Sequence, residues 1–388
     1  MPFLYVILNY IEKIRKIYNI HLFLFGLYFK TLNFEEERHI NIAGAGPAGL
    51  TAAIVLAKHG YMARVYEMSP DVGHRMNVGF QGLENWSSDK DITVLLKDIG
   101  IDINFLCVPY YGGDIYAPGI APLKIKSGKP IFYLVKRGAG GGSLDEGLKK
   151  QAIALGVEIL FNRRIAPSPE EAVIMGTGPK TADFIAAGIT FDTEMKDQAA
   201  VVFDDEIAPK GYAYLLVNNG CGTAATVIYN DCKNEKKYFD NMLEFFKNKR
   251  PFDIKNEKRF GGCGNFFIGD TQVYHNKIYI GEAAGFQDYL WGFGMRYAIL
   301  SGYMAANSII SGLNYDLLWK KELKPILETS LVNRYLFEKF GNTGYRYLAK
   351  RFAKGDPGDF LKRNYNQSFL KNLLLPIAKS RYKQGTTL

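Results

Sequence analysis

The stretch Asn41-Ile42-Ala43-Gly44-Ala45-Gly46-Pro47-Ala48-Gly49-Leu50 constrains the fold more than any other part of the chain. An apolar run, "HINIA", meets a Gly-x-Gly-x-x-Gly turn and then the small-residue segment "PAGLTAAIVLAKHG". A buried strand, a tight turn and a helix in that order form the context in which such a motif cradles a dinucleotide diphosphate. Gly44 permits the turn, Gly46 removes the side chain where the diphosphate approaches, and Gly49 lets helix and strand pack closely. Ala45, Pro47 and Ala48 complete the loop, whose helix start offers free N–H groups and a partial positive charge. The next strand, "ARVYEM", carries Glu67, which lies 23 residues after Gly44. A carboxylate there accepts both hydroxyls of an adenosine ribose and repels a 2′-phosphate. NADP is disfavoured at this site, while NAD and FAD both remain open.

The pattern along the rest of the chain alternates between two characters. The helix of the motif is expected from about Pro47 to His59, stopped by Gly60. "SSDKDITVLLKDIGI" predicts a second helix, with Ser88 or Asp89 as its cap and Ile92, Leu95, Leu96 and Ile99 on one face. From Phe105 to Val135 the chain is rich in Tyr, Pro, Gly and alternating apolar residues, which predicts antiparallel strands and turns. Ser143 and Glu146 are spaced as a capping box for a helix to about Leu155, stopped by Gly156, with "VEILFN" as the following strand. "EAVIMGTG" predicts a further buried strand, and Ala182 to Asn256 is again strand-rich, ending in a helix near Lys236 to Phe246. "KIYIGEAAG" returns to a strand and a glycine turn before a long helix, and the remainder reads as helical. A nucleotide-type unit is thus entered three times and left twice for a sheet.

The segment "IYIGEAAGFQDYLWGFGMRYAILSG" separates the two cofactors. It resembles the second FAD motif of glutathione-reductase-type flavoproteins, and more narrowly that of the p-hydroxybenzoate hydroxylase and geranylgeranyl reductase superfamily. The counterparts of the family's Gly-Asp-Ala-Ala-Gly are Gly281, Glu282, Ala283, Ala284 and Gly285, with Glu282 one methylene longer than the family's aspartate. Gly292, Gly294 and Met295 match its Gly-x-Gly helix start. A helix N-terminus there would stabilise the negative charge that a reduced flavin carries, a task with no counterpart in merely bound NAD. The resemblance also makes Arg75, in "VGHR", and Arg137, in "VKRGAGGGSLDEGL", neighbours of the cofactor.

The resemblance implies an α/β chain, α+β overall, in which a Rossmann-like FAD-binding domain is interleaved with an antiparallel substrate sheet. On that division residues 38–104, 138–181 and 260–312 bind FAD, 105–137 and 182–259 form the sheet, and 313–388 are C-terminal helices. Pro209 to Val217 half-matches the P-x-x-Y-x-W-x-F-P motif of geranylgeranyl reductases, keeping Pro209 and Tyr212 and placing Tyr214 where the family has Trp. Gly176-Thr177-Gly178 replaces the hydroxylases' Asp-Gly, and the loop "HRMNVGFQGLENWS" lacks the family's cysteine. The implied activity is reduction of a carbon–carbon double bond in a large apolar, isoprenoid-like substrate, with NADH or NADPH as transient electron donor. A flavin monooxygenase and a non-catalytic flavin or nucleotide sensor are the alternatives. Tyr212, Tyr214, Gln287, Asp288 and Trp291 are the candidates for groups near the reaction.

Charge and termini bear on partners. Ten basic residues fall between Arg346 and Lys383 against Asp356 and Asp359, while the whole chain carries +9. Interleaved with aromatic residues and followed by the amphipathic "FLKNLLLPIAKSRYK", this tail suits a membrane surface better than nucleic acid. Residues 1–37 are apolar but broken by Glu12, Lys13, Arg15 and Lys16, so neither half reaches a bilayer span. They are expected to form a disordered or interfacial leader, or to reflect a start codon placed too far upstream. Four scattered cysteines without C-x-x-C spacing, and histidines without ligand spacing, suggest neither disulfides nor a metal. A cytoplasmic protein is the expectation, with the basic tail read first as a solvated helical face and, as the alternative, as a peripheral membrane contact shared with the N-terminal segment.

Overall fold

The computed structural model describes residues 40–74, 79–165, 173–179, 181–250 and 253–382. Among them, three sheets are formed. The first has six strands in the order Val273–Tyr274, Lys277–Tyr279, Ile174–Met175, Ile40–Ala43, Ala63–Tyr66 and Glu158–Leu160. It is parallel except at the Val273 edge. Its central strand buries Ile42 and Ala43, as a covered parallel strand requires.

Helix Pro47–Lys58 lies on this sheet with Leu50, Ala52, Ala53, Ile54 and Leu56 fully buried. It ends at His59, followed by Gly60 at φ +81°, as the sequence requires. Helix Met295–Ser311 packs against it through a backbone contact: a Cβ on Gly302 would fall 2.2 Å from the carbonyl oxygen of Ala48. Ser143 caps helix Leu144–Ala154 by accepting the Glu146 N–H at 3.1 Å.

The second sheet has seven strands, in the order Lys255–Gly264, Phe184–Asp192, Cys221–Ile228, Tyr212–Asn218, Gln198–Val202, Gly112–Tyr116 and Leu123–Lys126. All neighbours are antiparallel apart from the pair Gln198–Val202 and Gly112–Tyr116. Helix Glu235–Lys249 covers one face with Phe239, Met242 and Phe246. A third sheet joins Phe80–Glu84, Phe132–Lys136 and Cys107–Tyr110.

Three local expectations are corrected. Residues 105–137 do not enter one sheet: Cys107–Tyr110 and Phe132–Lys136 pair with Phe80–Glu84, which anchors them elsewhere. Strand Lys255–Gly264 runs past the division expected at 260, held by its pairing along Phe184–Asp192. The helix after Trp86 is capped by Asp91, not by Ser88 or Asp89. Its Oδ1 accepts the Thr93 N–H at 2.9 Å, directly ahead of buried Ile92.

The C-terminal layer holds Tyr315–Glu322, Lys324–Glu338, Asn342–Ala353, Pro357–Tyr365 and Phe369–Arg381. No helix among the described residues is long and apolar enough to cross a membrane. The expected leader, residues 1–37, lies outside the described residues, as does Arg75.

Candidate functional site: a dinucleotide cleft that opens into an apolar chamber

In a parallel sheet the ligand end is where the strands finish. Here the strand ends converge through a chain of backbone bonds: Gly44 N–H to Tyr66 O, Gly176 N–H to Ala43 O, Glu67 N–H to Leu160 O and Ile280 N–H to Met175 O. Gly44, Glu67, Gly176, Glu282 and Arg163 accordingly line one cavity of about 880 Å³.

The glycines have distinct tasks. Gly44 adopts φ +98°, and a Cβ there would fall 2.3 Å from Gly176 O. A Cβ on Gly49 would fall 2.0 Å from Gly44 O, whereas one on Gly46 would meet nothing within 4 Å. Gly46 therefore faces open cleft, where a ligand's diphosphate would come closest. Glu67 is oriented by the loop itself: its Oε2 accepts the Ala45 N–H at 2.9 Å and its Oε1 the Ser69 N–H at 2.8 Å. Each oxygen keeps a lone pair for a hydroxyl.

Further along, the cavity reaches Gly292, Phe293, Gly294 and Met295. Gly292 adopts φ +75°, which lets the loop reverse before the helix begins at Met295. The N-caps of this helix and of helix Pro47–Lys58 are Gly294 and Gly46, and neither has a side-chain cap. Two uncapped helix N-termini thus border a single cavity, each a favourable place for negative charge. Residues of the 281–285 turn hold the space between them: Gly281, at φ +56°, donates its N–H to Ser301 Oγ, and Gly285 adopts φ +72°.

Arg137 stands in the wall, 7% exposed, with Asp145 gripping Nε at 2.8 Å and Nη2 at 3.0 Å. Glu282 adds its negative charge to the surroundings of Arg137. The structure brings together Gly44, Ala45, Gly46, Pro47, Ala48, Glu67, Arg137, Glu282, Gly292, Gly294 and Met295 on the cavity wall, while Gly49, Gly281, Ala283 and Gly285 support it from behind.

The reaction-side candidates separate. Tyr212, Tyr214, Gln287 and Trp291 line the cavity. Tyr212 donates its hydroxyl to Trp291 O at 2.5 Å, and Gln287 Nε2 donates to Asn265 O, so both brace the wall. Burial pushes the Tyr214 phenol upward, so it stays protonated. Asp288 does not face the cavity. Its carboxylate lies behind the loop and accepts Ser330 Oγ–H at 2.5 Å, Tyr365 OH at 2.7 Å and the Trp291 N–H at 2.7 Å. Burial raises it to about 6 despite these three donors. Asp288 is a positioning residue for the 288–293 loop, whose ends it also ties through Asp288 N–H to Phe293 O and Gly292 N–H to Asp288 O.

Several lining residues escaped the sequence reading. Arg163 and Arg164 follow strand Glu158–Leu160, which pairs with Ala63–Tyr66 and so ends at the ligand edge. That position, rather than any motif, was the signal. The far half is apolar, with Ile115, Ala200, Val201, Phe203, Leu216 and, from the C-terminal helices, Phe352 and Leu361.

An α/β sheet with a Gly-rich first turn, a carboxylate at the end of the next strand and a second glycine turn opening a long helix is the architecture shared by dinucleotide-binding oxidoreductases. Residues 42–79 match the NAD(P)-binding Rossmann-like domain family. The chain is 24% identical over 320 residues to the digeranylgeranylglycerophospholipid reductase of Thermoplasma acidophilum, covering 70% of this chain and 77% of that one. A geranylgeranyl bacteriochlorophyll reductase-like structure from Thermoplasma acidophilum superposes with TM-score 0.66 at 18% identity, over 89% of this chain and 96% of the other. The flavin-dependent brominase Bmp2 shares the fold at TM-score 0.60 and 15% identity, over 88% and 98%. These findings support an FAD-dependent oxidoreductase, similar to the geranylgeranyl reductase-like proteins. The residues present fit FAD: two uncapped helix ends face one cleft, and Gly46 leaves open the space a diphosphate needs.

Proposed function

We propose that this enzyme reduces carbon–carbon double bonds of a large apolar, isoprenoid-like lipid. The observation that carries the reading is the continuity of the cavity, which passes from the dinucleotide cleft beyond Gly292 into a chamber walled by Leu216, Val201, Phe203 and Leu361. An apolar chamber rewards burial of hydrocarbon, at about 25 cal/mol per Å² removed from water.

When bound, FAD supplies hydride chemistry, with NADH or NADPH as the transient donor. The chain's residues provide everything else. The Pro47 helix start would hold the diphosphate, Glu67 would accept ribose hydroxyls, and the Met295 helix start would stabilise negative charge on the ring. Glu282, at the position of the family's aspartate, would act beside Arg137 on the linker between them. Phe132, Phe203 and Trp291 exclude water from the chamber. Saturating an alkene needs a proton as well as a hydride, and Tyr214 holds one at the chamber wall.

The test is anaerobic. The FAD-loaded protein, reduced with NADH or NADPH and mixed with a polyprenyl lipid, should reoxidise without oxygen and yield product heavier by two hydrogens per bond. Peroxide or hydroxylated product in air, with no hydrogenated lipid, would instead establish a monooxygenase. That second reading draws on the fold shared with the brominase.

A further inference from the structure

The terminal helix Phe369–Arg381 presents the wrong face to solvent. Phe369 is 80% exposed, Leu370 62%, Leu373 58% and Ile377 51%. At 100° per residue these four, together with exposed Pro376, fall within an arc of about 120°. The opposite arc carries Leu374, Leu375, Ala378 and Tyr382, which pack on the main core, while Lys379 pairs with Glu328 at 2.7 Å. The helix is therefore anchored on its inner side and apolar on its outer side, the reverse of an ordinary surface helix. A contiguous apolar stripe of this kind marks an interaction surface.

Charge selects the partner. The C-terminal layer exposes Lys350, Arg351, Lys354, Lys362, Arg363 and Arg381 against Glu322 and Asp359. Arg381 lies at the border of the stripe, just beyond the arc. Exposed apolar residues on one helix face, with Arg381 at their border and a basic helical layer in the same part of the fold, suit shallow insertion among anionic headgroups.

We infer that the helix Phe369–Arg381 is a membrane-docking element, inserting Phe369, Leu370, Leu373 and Ile377 into the interface of an anionic bilayer. The inference is independent of the reaction, since it rests on the outer face of one helix. It also has a consequence for supply: the same helical layer sends Phe352 and Leu361 into the apolar chamber. Docking would hold that chamber close to a source of insoluble substrate.

The test uses the full FAD-loaded chain and sedimentation with vesicles of phosphatidylcholine, with and without phosphatidylglycerol. The parent should partition to the anionic vesicles and lose binding in high salt. Leu370→Glu with Leu373→Glu should weaken partitioning by about 100-fold, two buried leucines' worth, while flavin absorbance stays unchanged. Arg363→Glu with Arg381→Glu should weaken it by at least about 30-fold. Three results would overturn the inference. The parent could stay in the supernatant, or the leucine variant could partition like the parent, which would place binding elsewhere, residues 1–39 included. The leucine variant could also convert a parent dimer to monomer without altering partitioning, which would make the stripe a contact between copies. None of these outcomes depends on turnover, so failure here is distinguishable from failure of the reductase reading.

Discussion

Around Gly44, Gly176 and Gly292 the cavity wall is main chain, whereas around Tyr214, Leu216 and Phe203 it is side chain. On the proposed function the first region would bind with N–H groups and helix ends, which require glycine where the backbone turns or packs, as at Gly44 and Gly49. The second binds by apolar area, which many combinations of residues provide. The main-chain half thus depends on particular residues, and the side-chain half on total apolar area. Substitutions in the two halves should therefore fail in different ways.

Gly44→Ala should have the largest effect. It forces a side chain onto a backbone at φ +98° and against Gly176 O, so FAD affinity should fall by about 1,000-fold in a fluorescence titration. Near-normal binding would break the claim that the main chain governs this half. Tyr214→Phe should leave FAD affinity intact and lower reductive turnover by about 100-fold, as loss of a proton donor does. If turnover is unchanged, the proton comes from elsewhere and the chamber is only a container.

Asp288 sits at the seam between the halves. Its carboxyl is raised from 3.8 to about 6 by burial, so the folded state binds the proton more tightly than the unfolded chain. Its contribution to stability is complete below pH 3.8 and is lost as pH rises through about 6. Between pH 4 and pH 6 the parent should lose on the order of 2 kcal/mol relative to Asp288→Asn in denaturant titrations. Parallel stability profiles would mean that the carboxylate is already ionised throughout.

Glu67→Gln should have the smallest effect, weakening FAD by about tenfold. The amide retains an acceptor for one of the Ala45 and Ser69 N–H groups but loses the charge.

The contrast also explains what could be read from the sequence. Gly44, Gly46, Gly49 and Glu67 belong to one continuous strand–turn–helix–strand unit, so spacing alone specified their arrangement. The capping pair Ser143 and Glu146 and the stop at Gly60 are equally local. The second glycine turn was legible through its resemblance to a known motif, although Glu282 departs from it. Arg163 and Arg164 carry no local signal, because their place at the ligand edge depends on a parallel pairing between Arg64 and Glu158, 94 residues apart. The split of residues 105–137 between two sheets was hidden for the same reason: alternation predicts strands but not their partners. Asp288 was found in the right loop, but only packing from Ser330 and Tyr365 shows which way it turns.

Gly302 lies against the Ala48 carbonyl, so the helices that begin at Pro47 and Met295 touch backbone to backbone. With no side chain between them to compress or rotate, they act as a gauge block. The distance between their two electropositive ends is fixed before any ligand arrives. A molecule with the flavin ring but no adenosine reaches one end only, and one with adenosine but no ring reaches the other. Length, as well as chemistry, selects the cofactor here, and the dimension is set by a glycine that never touches it.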